Sequence, residues 1–279
     1  CAEGIARVRV RNHRQVVNAL ADILRRWTAP ATEELGTVSP WVDFHAHVIP
    51  GVDDGPATVD DALRVLKEAA ACGVTHVVST VHYSDMYRAG HEKVVAQHDL
   101  LRQAAHAENI PVTVLLGREV SFTDMHIDRM KDSPLLHSPP HSGSVLVELP
   151  EGINRDVVIQ GFFDLQLAGL EVVVAHPERS TLVQNDTSLV PLLRERNMRI
   201  QLDAQSLLGS HGKLARRTAR HILKNSQLDI FSSDAHAPGA YDAYRDACAL
   251  ALRWVRREAF LPAVRDIPAG IAGIPLSDA

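Results

Sequence analysis

Cysteine is scarce in this chain, with three residues in 279 at positions 1, 72 and 248 and no CxxC spacing. That excludes a disulfide framework and a thiolate zinc site as organising devices, and it fits a reducing cytoplasm. Long apolar runs are missing too. None approaches the roughly 18 to 20 residues needed to span a bilayer, and no charged leader with an apolar segment and a small-residue cleavage site is visible. The sequence therefore predicts a cytoplasmic domain without a transmembrane segment. Cys1 stands where a methionine would open a chain. A processed start, a trimmed sequence and a lipid-carrying mature cysteine all remain open, the last disfavoured by the missing leader. Positive charge is in deficit, at a net charge of -5, so no global basic field holds nucleic acid nonspecifically. Small molecules or peptides are the favoured substrates.

Hydrophobic residues make up 46% of the chain, enough for one large core. The first 40 residues stand apart. Val16, Val17, Leu20, Ile23, Leu24 and Trp27 recur at helical spacing, which predicts one amphipathic helix, followed by a linker with Pro30, Gly36 and Pro40. An accessory helix on the domain surface is the simpler reading, and a docking element the sharper one. From residue 41 short β-branched runs alternate with longer helical segments, the rhythm of βα units around a parallel sheet. Strands are expected at 42–45, 75–80, 112–117, 144–149, 171–175, 199–202 and 229–232, with helices at 58–71, 91–108, 155–168, 188–196, 214–224 and 241–257. These predict an α/β fold, a closed or nearly closed seven-stranded barrel, over 41–265, with a C-terminal tail over 266–279.

The positions of the metal-capable residues carry the functional signal. His45 and His47 end the first strand, His82 follows the second, Glu119 the third, Glu148 the fourth, His176 the fifth, and Asp234 with His236 the last. In a β/α barrel the C-terminal strand ends converge on one face, so these residues would share one pocket. Imidazole mixed with carboxylate suits Zn, Mn or Fe, and so many ligands exceed the needs of one ion. With Asp53 and Asp54 beside the HxH pair, two or three bridged cations fit, a set that would activate water and neutralise phosphoryl charge. Taken singly, each residue has an ordinary explanation: a histidine satisfying a carbonyl, or a carboxylate capping the next helix. Several ending consecutive strands do not. The remaining histidines, His13, His91, His98, His106, His126, His137, His141, His211 and His221, read as surface residues. Arg179, after His176, offers a planar fork for two phosphate oxygens, against a salt bridge with Glu178 or another carboxylate as the plainer reading. Arg88, with Tyr83 and Tyr87, is a second candidate substrate contact.

The motifs Asp43-Phe44-His45-Ala46-His47, Val52-Asp53-Asp54-Gly55-Pro56, Thr80-Val81-His82, Gly117-Arg118-Glu119, Leu146-Val147-Glu148-Leu149-Pro150, Ala175-His176-Pro177-Glu178-Arg179 and Ser233-Asp234-Ala235-His236 together resemble the bacterial protein-tyrosine phosphatases of the PHP (polymerase and histidinol phosphatase) superfamily. These are the CpsB/YwqE type, associated with capsule and exopolysaccharide synthesis. The resemblance spans about residues 42 to 240. It implies a distorted seven-stranded barrel of the PHP type and a trinuclear, often manganese-loaded site. His45, His47, Asp54, His82, Glu119, Glu148, His176, Asp234 and His236 would be its ligands, Arg179 would bind phosphate, and His82 and Asp234 would share in catalysis. The implied partner is a phosphotyrosine-bearing protein, a bacterial tyrosine kinase of polysaccharide synthesis. Val81 and Tyr83 depart from the family's usual proline and basic residue there, and no basic residue closely follows Asp234-Ala235-His236, which bears on substrate choice. Nothing resembles the Cys-(x)5-Arg loop of thiol phosphatases, and Cys72, in an alanine-rich helical stretch, reads as a small core residue. The rival readings are a PHP-type phosphatase of small esters such as histidinol phosphate, an amidohydrolase barrel, and a binding module with a degenerate site. An amidohydrolase often carries a carboxylated lysine where Glu148 stands.

Overall fold

The computed structural model describes residues 39–276 except Arg88, so the expected N-terminal helix lies outside the described residues. Seven strands form one parallel series in chain order: β1 (Val42–Ala46), β2 (His76–Tyr83), β3 (Thr113–Ser121), β4 (Ser144–Glu148), β5 (Glu171–Ala175), β6 (Arg199–Asp203) and β7 (Ile230–Ser232). The helices are α1 (Val59–Ala71), α2 (His91–Ala107), α3 (Ile127–Asp132), α4 (Arg155–Leu167), α5 (Thr181–Asn185), α6 (Leu189–Glu195), α7 (Ala204–Leu208), α8 (Gly212–Lys224), α9 (Ala240–Leu252), α10 (Arg257–Val264) and α11 (Asp266–Ala272). Local chemistry sets several boundaries. The Thr58 hydroxyl accepts from the amide of Asp61 and starts α1, while Gly73, at φ +90°, ends it where a side chain would be strained.

β1 and β7 close the ring only at their C-terminal ends. There the His47 amide donates to the Ala235 carbonyl (2.8 Å) and the Asp234 amide to the His45 carbonyl (2.9 Å). Buried Asp43 locks this seam, accepting from the Ser233 amide (3.0 Å) and the Tyr241 hydroxyl (2.8 Å). The barrel is thus joined beside the predicted ligands.

Period-two alternation sorts each strand. Val77, Val120, Val145, Val147, Val172, Val174, Ile200 and Leu202 face the helices, while Val42, Phe44, Val78, Leu146, Val173 and Ile230 fill the interior. Two expectations change here. β2 and β3 run to Tyr83 and Ser121, so His82 and Glu119 lie within paired strands, opposite each other in register, and not beyond the strand ends. Residues 266 onward, expected as a tail, carry α11, whose Ala269, Ile267 and Ile271 pack with Ile274 against the interior strand residues. Burying that apolar face is what orders the segment.

Candidate metal centre

Above the apolar interior the inward positions turn polar. Thr80 gives way to His82, Gly117 to Glu119 and Leu146 to Glu148, each two residues further along its strand. Gly117 is needed beneath Glu119, because a Cβ there would lie 2.9 Å from a Val78 methyl and 3.2 Å from one of Thr80. His45 lies within a register shift in β1 between Asp43 and Ala46. His176 (φ +27°) and Asp234 (φ +49°) both occupy left-handed backbone that costs a non-glycine residue about 1–3 kcal/mol.

The nine expected ligands converge. They form four overlapping groups whose ligand atoms lie within 4.8 Å of one another: His47, Asp54, His82 and His236; His45, Glu119 and His176; His45, His47 and Asp234; and His82, Glu119 and Glu148. Glu119 is the hub. Its Oε2 lies 3.2 Å from His45 Nε2, 3.3 Å from His47 Nε2 and 3.2 Å from His82 Nδ1, and its Oε1 lies 2.8 Å from His176 Nε2. Asp54 Oδ1 is 3.4 Å from Nε2 of both His82 and His236.

These residues fit a set of cations better than they fit each other. His45 Nδ1 lies 3.1 Å from Gln201 Oε1, and His47 Nδ1 lies 2.9 Å from Asp53 Oδ2. Both partners are acceptors, so Nδ1 of each ring carries a proton, and the two Nε2 atoms face each other at 3.2 Å, where either a proton or a metal cation has to lie between them. Two lone pairs at that distance repel unless positive charge lies between them. Asp234 Oδ1 is buried with no hydrogen-bond donor, the same demand from the carboxylate side. Outer hydrogen bonds that fix the ring and free one nitrogen are the usual support of a metal-binding histidine.

Electrostatics follow from burial and this crowding. Burial opposes ionisation of Glu119, yet the His45 and His176 rings hold its carboxyl well below the usual range. Burial and the charge of Glu119 push Glu148 up. Buried Glu178 is raised to about 7 by desolvation and by neighbouring Asp203. Arg179 makes its ion pair with Asp234 and not with Glu178. Its Nη1 donates to Asp234 Oδ2 at 2.7 Å, leaving its other N–H groups without a protein partner among the described residues.

An open cleft of about 490 Å³ sits over the centre, lined by His82, Tyr87, Glu119, Glu148, Arg179 and Asp234 among others. Tyr83 is placed elsewhere. It points to the other side of β2, accepts from Arg129 Nη1 (2.6 Å) and lines a neighbouring cleft with His91. Tyr87 is the aromatic residue at the centre, stacked on His82 at 5.0 Å. Arg88 lies outside the described residues. Of the histidines read as surface residues, His98 and His137 are buried, bonded to the carbonyls of Val114 and Met130. His211 lies 2.7 Å from buried Asp203 beside a second cleft that Arg179 also lines. Gln201 escaped sequence reading, and Asp53, expected beside Asp54 among the metal-capable residues, serves here as an outer partner of His47. The available signal was a lone glutamine inside the apolar strand Arg199–Asp203.

Among known proteins, a putative tyrosine-protein phosphatase CapC of Staphylococcus aureus is 29% identical over 197 residues, 70% of this chain and 77% of its own. The tyrosine-protein phosphatase YwqE of Bacillus subtilis matches to the same extent, and CpsB of Streptococcus agalactiae is 23% identical over 220 residues, 89% of its length. A crystal structure from work on YwqE of Bacillus subtilis and CpsB of Streptococcus pneumoniae, described as unique metal-dependent tyrosine phosphatases, superposes with a TM-score of 0.72. It shares 23% identity and covers 85% of this chain and 96% of that one, so the PHP-type barrel is common to both. The family model for capsular polysaccharide synthesis, CpsB/CapC, matches residues 41–258, and the chain belongs to that family.

Proposed function

We propose that this protein is a metal-dependent protein-tyrosine phosphatase, using two or three divalent cations with manganese first among them and iron or zinc as alternatives. The convergence of nine histidine and carboxylate candidate ligands, Glu119 among them, in a chain of the CpsB/CapC family carries the reading. Cations bound there supply activation of a water molecule and neutralisation of phosphoryl charge.

The chain's own residues do the rest. Arg179, kept charged against burial by Asp234, offers its remaining N–H groups to phosphoryl oxygens. Asp234 is thereby tied both to the ligand cluster and to the phosphate-binding arginine, and Arg179 holds it in place. The Tyr87 ring, stacked on His82, gives the substrate's aromatic ring an apolar neighbour at the cleft. Tyrosinate leaves with a conjugate-acid pKa near 10, so demand for a general acid is modest.

The substrate in this reading is a phosphotyrosine-bearing protein, a tyrosine kinase of polysaccharide synthesis, met in the cytoplasm. The family's association with capsular polysaccharide synthesis supports this, and the described residues contain no helix long and apolar enough to cross a membrane. Hydrolysis of small esters such as histidinol phosphate is not favoured by the relatives. The test is kinetics of the chelator-stripped and Mn-, Fe- or Zn-reloaded protein on phosphotyrosine and phosphoserine peptides and alkyl phosphates. Activity confined to reloaded protein and highest on phosphotyrosine is expected. Undiminished activity after verified metal loss, or preference for alkyl phosphates, would overturn the proposal.

A further inference from the structure

Helix α8 carries a charge pattern that catalysis does not use. Between Ala204 and Leu228 there is no aspartate or glutamate, although the chain as a whole has a net charge of -5. Ala215, Thr218, Ala219, Ile222 and Leu223 bury one face of the helix, and Lys213, Arg216, Arg217, Arg220 and Lys224 stand exposed on the other. Among the described residues none of these five cations lies within 4 Å of a carboxylate, whereas several other arginines of the chain do. Arg220 and Lys224 instead rest on the Trp254 ring, at 4.9 and 5.7 Å from its centroid. Five like charges on one helix repel one another, and among the described residues no carboxylate lies within 4 Å of them to offset that repulsion.

The strip begins two residues beyond His211, which lies at the candidate site. His211, immediately before Gly212, lines the cleft that also holds Arg179, Glu148 and His176, and α8 packs against the turn Pro177–Arg179. From that mouth the cations run along the helix for about 16 Å, the length of about five residues of extended peptide.

We infer that the exposed face of α8 is a docking strip for an acidic segment of the phosphoprotein substrate, adjacent in sequence to the phosphotyrosine held in the cleft. This rests on the phosphatase reading above and adds to it a choice among phosphotyrosine sites. Charge complementarity and closeness to the cleft favour a polypeptide tethered to the phosphorylated residue over a membrane surface. Such a strip acts mainly on encounter and on KM, and salt screens it over about 8 Å at 0.15 M ionic strength.

The experiment compares the Mn-loaded full chain with Arg216→Glu/Arg217→Glu/Arg220→Glu on three substrates: p-nitrophenyl phosphate, a phosphotyrosine peptide with neutral flanks, and one with a run of glutamates beside the phosphotyrosine. For the natural sequence we expect kcat/KM on the acidic peptide to exceed that on the neutral one by about tenfold or more at low salt, and the advantage to shrink as salt rises. The variant should lose the advantage through KM and keep its rate on p-nitrophenyl phosphate. Equal kcat/KM on both peptides, or a preference for acidic flanks that survives charge reversal, would overturn the docking strip while leaving the phosphatase reading intact. Loss of p-nitrophenyl phosphate hydrolysis would mean that the site was damaged, and Arg217→Gln/Arg220→Gln then repeats the comparison. No hydrolysis of any phosphotyrosine substrate by the natural sequence would defeat the phosphatase reading itself. Flotation with phosphatidylserine vesicles is the remaining arm: binding abolished by charge reversal without any peptide effect would assign the strip to a membrane and overturn the proposal.

Discussion

Gly55 is where the backbone of the metal centre is most exposed to a single methyl group. A Cβ at this position would lie 2.4 Å from the His47 carbonyl oxygen and 3.1 Å from its carbon. Carbon and oxygen approach to about 3.3 Å, so Gly55→Ala demands a displacement of about 0.9 Å. Both obstacles are backbone, and no rotamer change relieves them. His47 cannot yield easily, since its amide holds the barrel seam to Ala235. The loop must move instead, and with it go Asp53, which accepts from the His82 amide (3.1 Å), and Asp54, beside His82 and His236. Metal–ligand distances tolerate about 0.2 Å. Gly55→Ala is therefore expected to lose at least one bound ion, to drop kcat/KM by about 100-fold and to cost about 1–3 kcal/mol of stability from overpacking. Elemental analysis, phosphotyrosine-peptide kinetics and thermal melting read the three effects. Gly270→Ala is the control: no atom lies within 4 Å of its Cβ, and on α11 it should gain about 0.5–1 kcal/mol with unchanged activity. Full metal content and wild-type kcat/KM in Gly55→Ala would refute the view that the His47 carbonyl clamps the loop.

Three further outcomes are expected. Arg179→Lys keeps a contact to Asp234 and so retains the metals, but loses the fork, and kcat/KM should fall about tenfold or more; wild-type kinetics in both Arg179→Lys and Arg179→Ala would leave the residue only its ion pair. Cys72→Ser should keep full activity, because the thiol is buried, donates to the Tyr241 carbonyl (3.2 Å) and is pushed up to about 11 by burial; a large loss with intact structure would revive a thiol mechanism. Glu178 has a folded pKa of about 7 against an ordinary 4.5, so its contribution to stability is complete below pH 4.5 and is lost as pH rises through 7. In the metal-free protein Glu178→Gln should gain on the natural sequence by on the order of 3 kcal/mol between pH 4.5 and 8, and parallel denaturation midpoints across that range would refute the assignment.

The strands were legible because β-branched runs with polar interruptions have few other uses, and every expected strand exists within a few residues. The errors share a cause. β2 and β3 were read as ending at Thr80 and Gly117 because there the inward residues stop being apolar, although the backbone ladder continues through His82 and Glu119. Hydrophobic periodicity reports which side chains are buried in apolar surroundings, not where backbone pairing stops. Helix α11 was missed for the converse reason. Ile267, Ala269 and Ile271 lie among proline and glycine, and only the interior of the barrel beneath them gives that face a partner.

The candidate metal ligands were legible as types at strand ends, but residue types alone did not choose between Asp53 and Asp54, and only the family resemblance pointed to Asp54. That choice is geometric. Asp53 spends its oxygens on His47 Nδ1 and on the amides of Gly55 and His82, so it orients a ligand and braces β2. Asp54, one residue later and partly exposed, is left to face His82 and His236. The strain at His176 and Asp234 was equally invisible, since neither residue type signals a positive φ. Each is held by a bond from its own amide, His176 to Gln201 Oε1 at 2.9 Å and Asp234 to the His45 carbonyl at 2.9 Å. Gln201 Oε1 serves His45 Nδ1 as well, so one buried side chain fixes the backbone of one ligand and the tautomer of another. A strained backbone and a crowded cluster of candidate ligands are thus held in place by hydrogen bonds from outside the cluster. The part of the site that sequence reading missed, Gln201 and the strained backbone it holds, is therefore the part that orients the candidate ligands.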